Sequence, residues 1–367
     1  MDKKIKVLQV IGAMNRGGAE SMIMSYIKNI DKQKFQVDFL YLKDVSASYD
    51  EEIEILGGNI FRINICDKRK LGVNCMKMYR LFKKYDVVHS HMLHFSGVIN
   101  SLARLSLVPK RISHSHNTST REGGKFRSVY LRFMEYLIYK NSTNYIACGK
   151  AAGEYLFSRY IDESEVVIIN NAINTDVFVE GKMKQELITE FEIHDEIVIG
   201  HIGRFEHQKN HEYLIDIALN LKRLGIGFKM LLIGNGSKYN KIQDQVESSK
   251  LQKEVKLLGV RTDIPDCLSV FDVFVMPSWH EGLPVTIVEA QAAGLPCILS
   301  DRITTDVDLG LELIEFLPLE NNVLEWVDKI TSINLNENVS KDKIIEMIKA
   351  QGYDATENAV ALEQIYI

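Results

Sequence analysis

The 367-residue chain is too long for one ordinary core, because domains of roughly 100–200 residues predict two units or three. Hydrophobic residues make up 46%, charged residues 25% and aromatics 9%, which excludes a disordered tail, a collagen-like chain and a coiled-coil rod. No apolar run reaches about 18 residues, so no membrane-spanning helix is expected. Met1-Asp2-Lys3-Lys4 passes straight into the alternating stretch Ile5–Ile11, without the apolar segment and cleavage site of a signal peptide. The expected compartment is the cytoplasm.

Cys66, Cys75, Cys148, Cys267 and Cys297 are odd in number and show no Cys-x-x-Cys spacing. That argues against a disulfide framework or a structural zinc site, and for free thiols in a reducing compartment. The net charge of −5 hides an asymmetry. Residues 1–170 carry 26 Lys and Arg against 17 Asp and Glu, whereas residues 171–367 carry 18 against 32. A basic half joined to an acidic half points to different partners for each.

In chain order, apolar β-branched runs alternate with longer helical patterns. Strands are predicted at Ile5–Ile11, Gln36–Leu42, Asn59–Ile63, Asp86–Ser90, Lys110–His114, Asn144–Cys148 and Val166–Asn170. A second series is predicted at Ile197–Ile202, Phe228–Ile233, Val255–Leu258, Val273–Met276, Pro296–Ser300 and Leu313–Leu317. Helical patterns such as Cys75–Lys84 and His211–Leu224 separate them. Fully apolar strands alternating with helices read as parallel sheets covered on both faces, the doubly wound α/β class. Thirteen strands exceed one comfortable open sheet, and the chain changes character in the polar stretch 174–196. The expectation is two Rossmann-like domains facing across a cleft, residues 1–175 and 176–354. The last helix, Ala355–Tyr366, is expected to cross back onto the first. Ligands of such sheets bind beyond the carboxyl ends of the strands.

The first strand is followed by Gly12-Ala-Met-Asn-Arg-Gly17-Gly18-Ala-Glu20. It lacks the Lys of a P-loop and the G-x-G-x-x-G of a dinucleotide site. Gly17 and Gly18 at a helix start still let phosphate or sugar hydroxyls approach free N–H groups. A tight strand-to-helix turn explains the same glycines. Two His-x-His pairs, His89-Ser-His91 and His114-Ser-His116, close strands of the first half. Residues two apart on a strand share a face, so each pair offers two metal ligands. No third ligand is evident in the sequence, and no metal is expected. An imidazole that hydrogen-bonds substrate is the preferred reading, with a structural histidine as the alternative.

The second half carries the stronger pattern. Gly203-Arg204 and Lys209 place two cations at a strand end, and Gly234-Asn-Gly236 ends the next strand. Then follows Glu281-Gly282-Leu283-Pro284-Val285-Thr-Ile-Val-Glu289, with Gly294 beyond. Gly282 and Pro284 mark a helix start and Gly294 its end. Free N–H groups near Pro284 make an anion site that Arg204 and Lys209 would complete, so a diphosphate needs no metal ion. Eight residues along a helix would separate Glu281 from Glu289 by about 12 Å, beyond the roughly 5–9.5 Å of a glycosidase carboxylate pair. The two suit the ends of an extended ligand instead. Asp306-Val-Asp308 is read as surface.

The run Glu281–Glu289 resembles the E-x7-E motif of the retaining GT-B glycosyltransferases. With Gly17-Gly18-Ala-Glu20, Arg111-Ile-Ser-His114-Ser-His116-Asn117, Gly203-Arg204 to Lys209 and Glu281–Pro296, the chain is similar to glycosyltransferase family 4 enzymes of bacterial exopolysaccharide and capsule synthesis. The resemblance implies that Arg204 and Lys209 neutralise the donor diphosphate. Glu281 would touch the donor sugar, Glu289 the ribose, and the backbone at Gly282, Leu283, Pro284 and Val285 the distal phosphate. Gly17 and Gly18 would line the phosphate and acceptor region, Gly236 the donor site, and Gly259-Val-Arg261 the base. The sugar-contacting histidine is His116 or His114.

The reaction so implied moves a sugar from a nucleoside diphosphate, UDP as the family expectation, to an acceptor hydroxyl with retained configuration and no cofactor. Arg104, Lys110, Arg111, Arg121, Lys125, Arg127, Arg132 and Lys140 face only Glu122 and Glu135 in segment 104–140, with Phe126, Val129, Tyr130, Leu131 and Phe133 among them. Such a stretch fits either anionic lipid, and hence a lipid-linked saccharide acceptor on the inner face of the plasma membrane, or a solvated helix face. A UDP-sugar 2-epimerase type isomerase and a catalytically inactive partner subunit are the rival readings. No nucleic-acid recognition motif is present.

Overall fold

The computed structural model describes residues 3–15, 17–117, 124–180, 185–320, 322–333 and 339–367. Two α/β units emerge. The first comprises the residues up to Ala172 together with Asp354–Ile367, and the second Ile173–Tyr353.

The first unit contains seven parallel strands: β1 Ile5–Ile11, β2 Phe35–Tyr41, β3 Ile60–Arg62, β4 Val87–Ser90, β5 Lys110–Ser115, β6 Asn144–Ala147 and β7 Val166–Ile168. Their order is β3-β2-β1-β4-β5-β6-β7. The second unit contains six: β8 Ile197–Ile202, β9 Phe228–Ile233, β10 Val255–Gly259, β11 Val273–Met276, β12 Cys297–Ser300 and β13 Ile314–Leu317. Their order is β10-β9-β8-β11-β12-β13. Each sheet reverses direction of growth once, between β1 and β4 and between β8 and β11. Those reversals open a crevice at the strand carboxyl ends, where ligands of doubly wound sheets sit.

The strands are apolar on both faces because helices cover both. In the first unit, Val7, Ile11, Val87 and Ile112 join a core with Met22, Ile23, Tyr26, Leu362 and Tyr366, while Leu8, Val10, Val88 and Leu40 pack with Met78, Phe82 and Ile99. The second unit likewise splits, around Phe274, Met276, Ile287 and Val288 on one face and Met230, Leu232, Leu214 and Trp326 on the other. Strand ends differ from the sequence expectation by a residue or two, within ordinary fraying.

The division between units falls at Ala172, earlier than the expected 175, because the short helix Thr175–Val179 buries Phe178 and Val179 in the second unit's core. The helix Ala355–Tyr366 belongs to the first unit. Asp354 caps it, accepting from the N–H groups of Thr356 and Glu357 at 3.0 and 2.9 Å. Among the described residues no helix is long and apolar enough to cross a membrane.

Candidate active site

In the first unit the loop after β1 leads to the helix Gly18–Asn29. Gly17 sits in extended backbone at φ −148°, and a Cβ at Gly18 would meet nothing within 4 Å. Neither the backbone nor packing demands glycine at 18; what the residue leaves is open space. Arg16 lies outside the described residues.

The two histidine pairs come together. β4 and β5 are neighbours with His89 opposite Ile112, which brings His91 level with His114. Four rings therefore share one face of the sheet. His89 Nε2 lies 3.1 Å from His114 Nδ1, and His91 Nδ1 lies 2.8 Å from His116 Nε2. The rings of His114 and His116 stack with centroids 4.0 Å apart. Burial drives all four towards the neutral form: His89 and His116 fall to about 3, and His91 and His114 well below the ordinary imidazole value. The third ligand that the sequence did not reveal is thus present: His89, His91 and His114 each offer a ring nitrogen within 4.8 Å of the others. Each of these rings also has a ring-nitrogen partner, His89 Nε2 with His114 Nδ1 and His91 Nδ1 with His116 Nε2, at hydrogen-bond distances of 3.1 and 2.8 Å. His114 is only 1% exposed, whereas His116 follows the end of β5 and is partly exposed.

In the second unit the site is built by the loops after β8, β9 and β11. Arg204 is exposed and has no ion-pair partner among the described residues. Lys209 ends a short 3-10 turn, where Asn210 adopts a left-handed conformation at φ 54°. Its ammonium pairs with Glu281 Oε1 at 2.9 Å. Trp279 N–H donates to Gln208 O and Gln208 Nε2 to His280 O, both at 2.9 Å, so the β8 and β11 loops are stitched together beside the ion pair.

The helix that follows spans Val285–Ala292, with Pro284 at its N-cap. Glu281 therefore stands ahead of the helix, in an isolated bridge to Ile303, and not on it. The 12 Å helical separation expected for Glu281 and Glu289 does not apply, although the two still occupy opposite ends of one loop-helix segment. Gly294, at φ +75°, closes the helix: its N–H donates to Gln291 O and that of Leu295 to Ala290 O. Burial raises the Glu289 carboxyl to about 7. A Cβ at Gly282 would meet nothing within 4 Å, so the approach to the helix N-terminus is open there.

Gly236 has a packing reason to be glycine. A Cβ there would lie 2.5 Å from Phe205 O, and one at Gly234 would lie 2.0 Å from Gly203 O. The loops after β8 and β9 touch backbone to backbone. Glu206 then accepts from Ser237 N–H at 3.0 Å and Ser237 Oγ at 2.7 Å, a lock that sequence reading did not single out. Arg261 is held by Asp263 through two hydrogen bonds of 2.9 and 2.6 Å and by Glu190 at 2.5 Å. Its guanidinium is engaged within the fold, and Gly259 O, at the end of β10, accepts from Gly234 N–H at 2.8 Å. His201 and His211, also missed from sequence, bury imidazole atoms without partners, together with Ser278 Oγ and Thr286 Oγ1. Polar atoms of this kind call for a hydrogen-bonding ligand or water.

Comparison with known proteins agrees with this architecture. Residues 16–177 match the model described as Glycosyltransferase Family 4, and residues 183–350 that of Glycosyl transferases group 1. The putative glycosyltransferase EpsF of Bacillus subtilis is 37% identical over 98% of this chain and 96% of its own. The capsular polysaccharide biosynthesis glycosyltransferase CapH of Staphylococcus aureus is 26% identical over 99% of both. Among solved structures, Anabaena HepE in complex with UDP superposes with a TM-score of 0.77 at 17% identity over 99% of both chains. A Rickettsia africae glycosyltransferase gives 0.78 at 17% identity, covering 100% of this chain and 98% of its own. The chain belongs to the family 4 glycosyltransferases and has the GT-B fold.

Proposed function

We propose that this glycosyltransferase moves a sugar from a UDP-sugar to a hydroxyl of a lipid-linked saccharide in exopolysaccharide or capsule synthesis, with retained anomeric configuration and without a metal ion. The observation that carries the reading is the Lys209–Glu281 pair, set just ahead of the helix Val285–Ala292. Arg204, Lys209 and the free N–H groups of that helix oppose the charge that develops on the leaving diphosphate, which is preorganised electrostatic stabilisation. Glu281 contacts the donor sugar once phosphate engages Lys209, and Glu289 accepts from the ribose hydroxyls. The leaving phosphate oxygen takes the acceptor proton on the front face. His116, the more accessible of the doublet, contacts the sugar. CapH, a capsular polysaccharide biosynthesis glycosyltransferase, supports the polysaccharide part of the reading, and the UDP-bound HepE the UDP part.

Purified protein in EDTA, followed by NMR with UDP-, GDP- and ADP-sugars, tests it. Slow release of UDP with an initially α-configured sugar is expected. An epimeric nucleotide-sugar would replace transfer by isomerisation.

For the acceptor side, the helix Lys125–Asn141 buries Met134 and Ile138 and exposes Phe126, Val129 and Phe133 at 95, 65 and 55%. Arg127, Arg132 and Lys140 are exposed beside them, whereas Arg121 and Glu122 lie outside the described residues. Apolar side chains interleaved with cations suit an anionic bilayer surface. Co-sedimentation with phosphatidylglycerol vesicles should fall on replacing Phe126 and Phe133 by Ser; equal binding by the variant would remove this helix from the proposal.

A further inference from the structure

The four histidines form two hydrogen-bonded ladders joined at their base. In one, Gln9 Oε1 meets His91 Nε2 at 2.8 Å and His91 Nδ1 meets His116 Nε2 at 2.8 Å, leaving His116 Nδ1 without a partner. In the other, the Tyr366 hydroxyl meets His89 Nδ1 at 2.8 Å and His89 Nε2 meets His114 Nδ1 at 3.1 Å, leaving His114 Nε2 without one. Gln9 Nε2 donates to the Tyr366 hydroxyl at 2.8 Å and so links the two.

A neutral imidazole has one N–H and one lone pair, an amide offers donors on one side only, and a phenol has a single proton. These counts leave little freedom. With the Gln9 oxygen facing His91, His91 must carry its proton on Nε2 and accept at Nδ1 from His116 Nε2–H. His116 Nδ1 is then a bare acceptor. Tyr366, already accepting from Gln9, gives its proton to His89 Nδ1, whereupon His89 Nε2–H donates to His114 Nδ1 and His114 Nε2 carries a proton. All four rings are Nε2–H. Turning the Gln9 amide over moves every proton to Nδ1. Mixed arrangements set two N–H groups or two lone pairs against each other, or leave the Tyr366 proton without an acceptor, and each costs an unmade buried hydrogen bond.

We propose that Gln9 and Tyr366 are positioning residues that lock His89, His91, His114 and His116 into one shared tautomer, so that His116 presents a lone pair and takes a hydrogen bond from a donor-sugar hydroxyl. This rests on the assignment of His116 to the sugar made above. An acceptor there favours sugars that carry a free hydroxyl at that position over deoxy or O-alkylated ones, because an unanswered buried polar atom is penalised.

The test uses the full chain labelled with 15N-histidine, whose long-range 1H–15N spectra separate protonated from bare ring nitrogens. Wild type should show all four rings protonated on Nε2; four rings protonated on Nδ1 would make His116 a donor and overturn the proposal. Gln9→Glu, near-isosteric, accepts from both His91 and Tyr366; it should hold His91 and His116 as Nε2–H and switch His89 and His114 to Nδ1–H. Gln9→Met should remove the lock and lower kcat/KM for transfer roughly tenfold while UDP affinity stays unchanged. Unlike tautomers in wild type, or an unaltered set in Gln9→Glu, would overturn the proposal. So would one bound metal per purified chain removed by His114→Gln, since coordination would then set the protons. His116→Asn separates the two levels: full transfer by that variant sinks the sugar contact, whereas lost transfer with tautomers indifferent to Gln9 sinks only the lock.

Discussion

Lys209 and Glu281 are bound to each other at 2.9 Å with side chains only 14 and 9% exposed, so in the free protein each satisfies the charge that substrate would otherwise meet. In the proposed reading a diphosphate competes with Glu281 for the ammonium, and the carboxylate is freed to accept from sugar hydroxyls. Glu281→Gln should separate those roles. UDP affinity should hold or rise, because the competing anion is gone. Transfer should drop by about 100-fold or more, as for loss of an interaction made only at the reacting sugar. Calorimetry with UDP beside a transfer assay reads both; weaker UDP binding with unchanged turnover would reverse the assignment.

The glycine at 236 makes a different kind of claim, about the scaffold. Its absent Cβ would fall 2.5 Å from Phe205 O and 2.7 Å from Phe205 C, backbone atoms that cannot rotate away. Gly236→Ala must push apart the loops after β8 and β9, which carry Arg204 and the Ser237–Glu206 lock. The expected result is destabilisation of roughly 1–3 kcal/mol with weakened UDP binding. Denaturant unfolding and calorimetry would show it. An alanine variant as stable as wild type would mean that the loops are free to part.

Why the sequence revealed so much here, and what it concealed, follows from where each signal lies. Apolar β-branched runs such as Ile197–Ile202 and Phe228–Ile233 are buried on both faces, and nothing but a covered parallel sheet explains them. The motif Glu281–Glu289 is local, so its spacing is legible, but its conformation was not. Pro284 starts the helix and leaves Glu281 in a bridge to Ile303, a partner supplied by another loop. Relations between distant segments were invisible. Gln9 and Tyr366 are 357 residues apart, and the histidine cluster depends on β4 lying beside β5 in one particular register. Arg261 looked available until Asp263 and Glu190 took its guanidinium.

Glu289 supplies a pH dependence whose sign is fixed. Burial raises its carboxyl from 4.5 to about 7 in the folded chain. Folded protein therefore holds this proton more tightly than unfolded protein does. The associated stability is fully present below about pH 4.5 and is lost as pH rises through about 7. The span amounts to at most about 3 kcal/mol. Glu289→Gln, neutral throughout, should match wild type near pH 5 and exceed it near pH 8 in denaturant midpoint. Parallel profiles would show that the carboxyl is ionised in the fold. Nucleotide adds a second reading. Ribose hydroxyls that donate to Glu289 favour the carboxylate, so UDP binding at pH 7 should release up to about half a proton. The calorimetric enthalpy should then vary with the ionisation heat of the buffer, and in Glu289→Gln it should not. A buffer-independent enthalpy in wild type would place the ribose elsewhere.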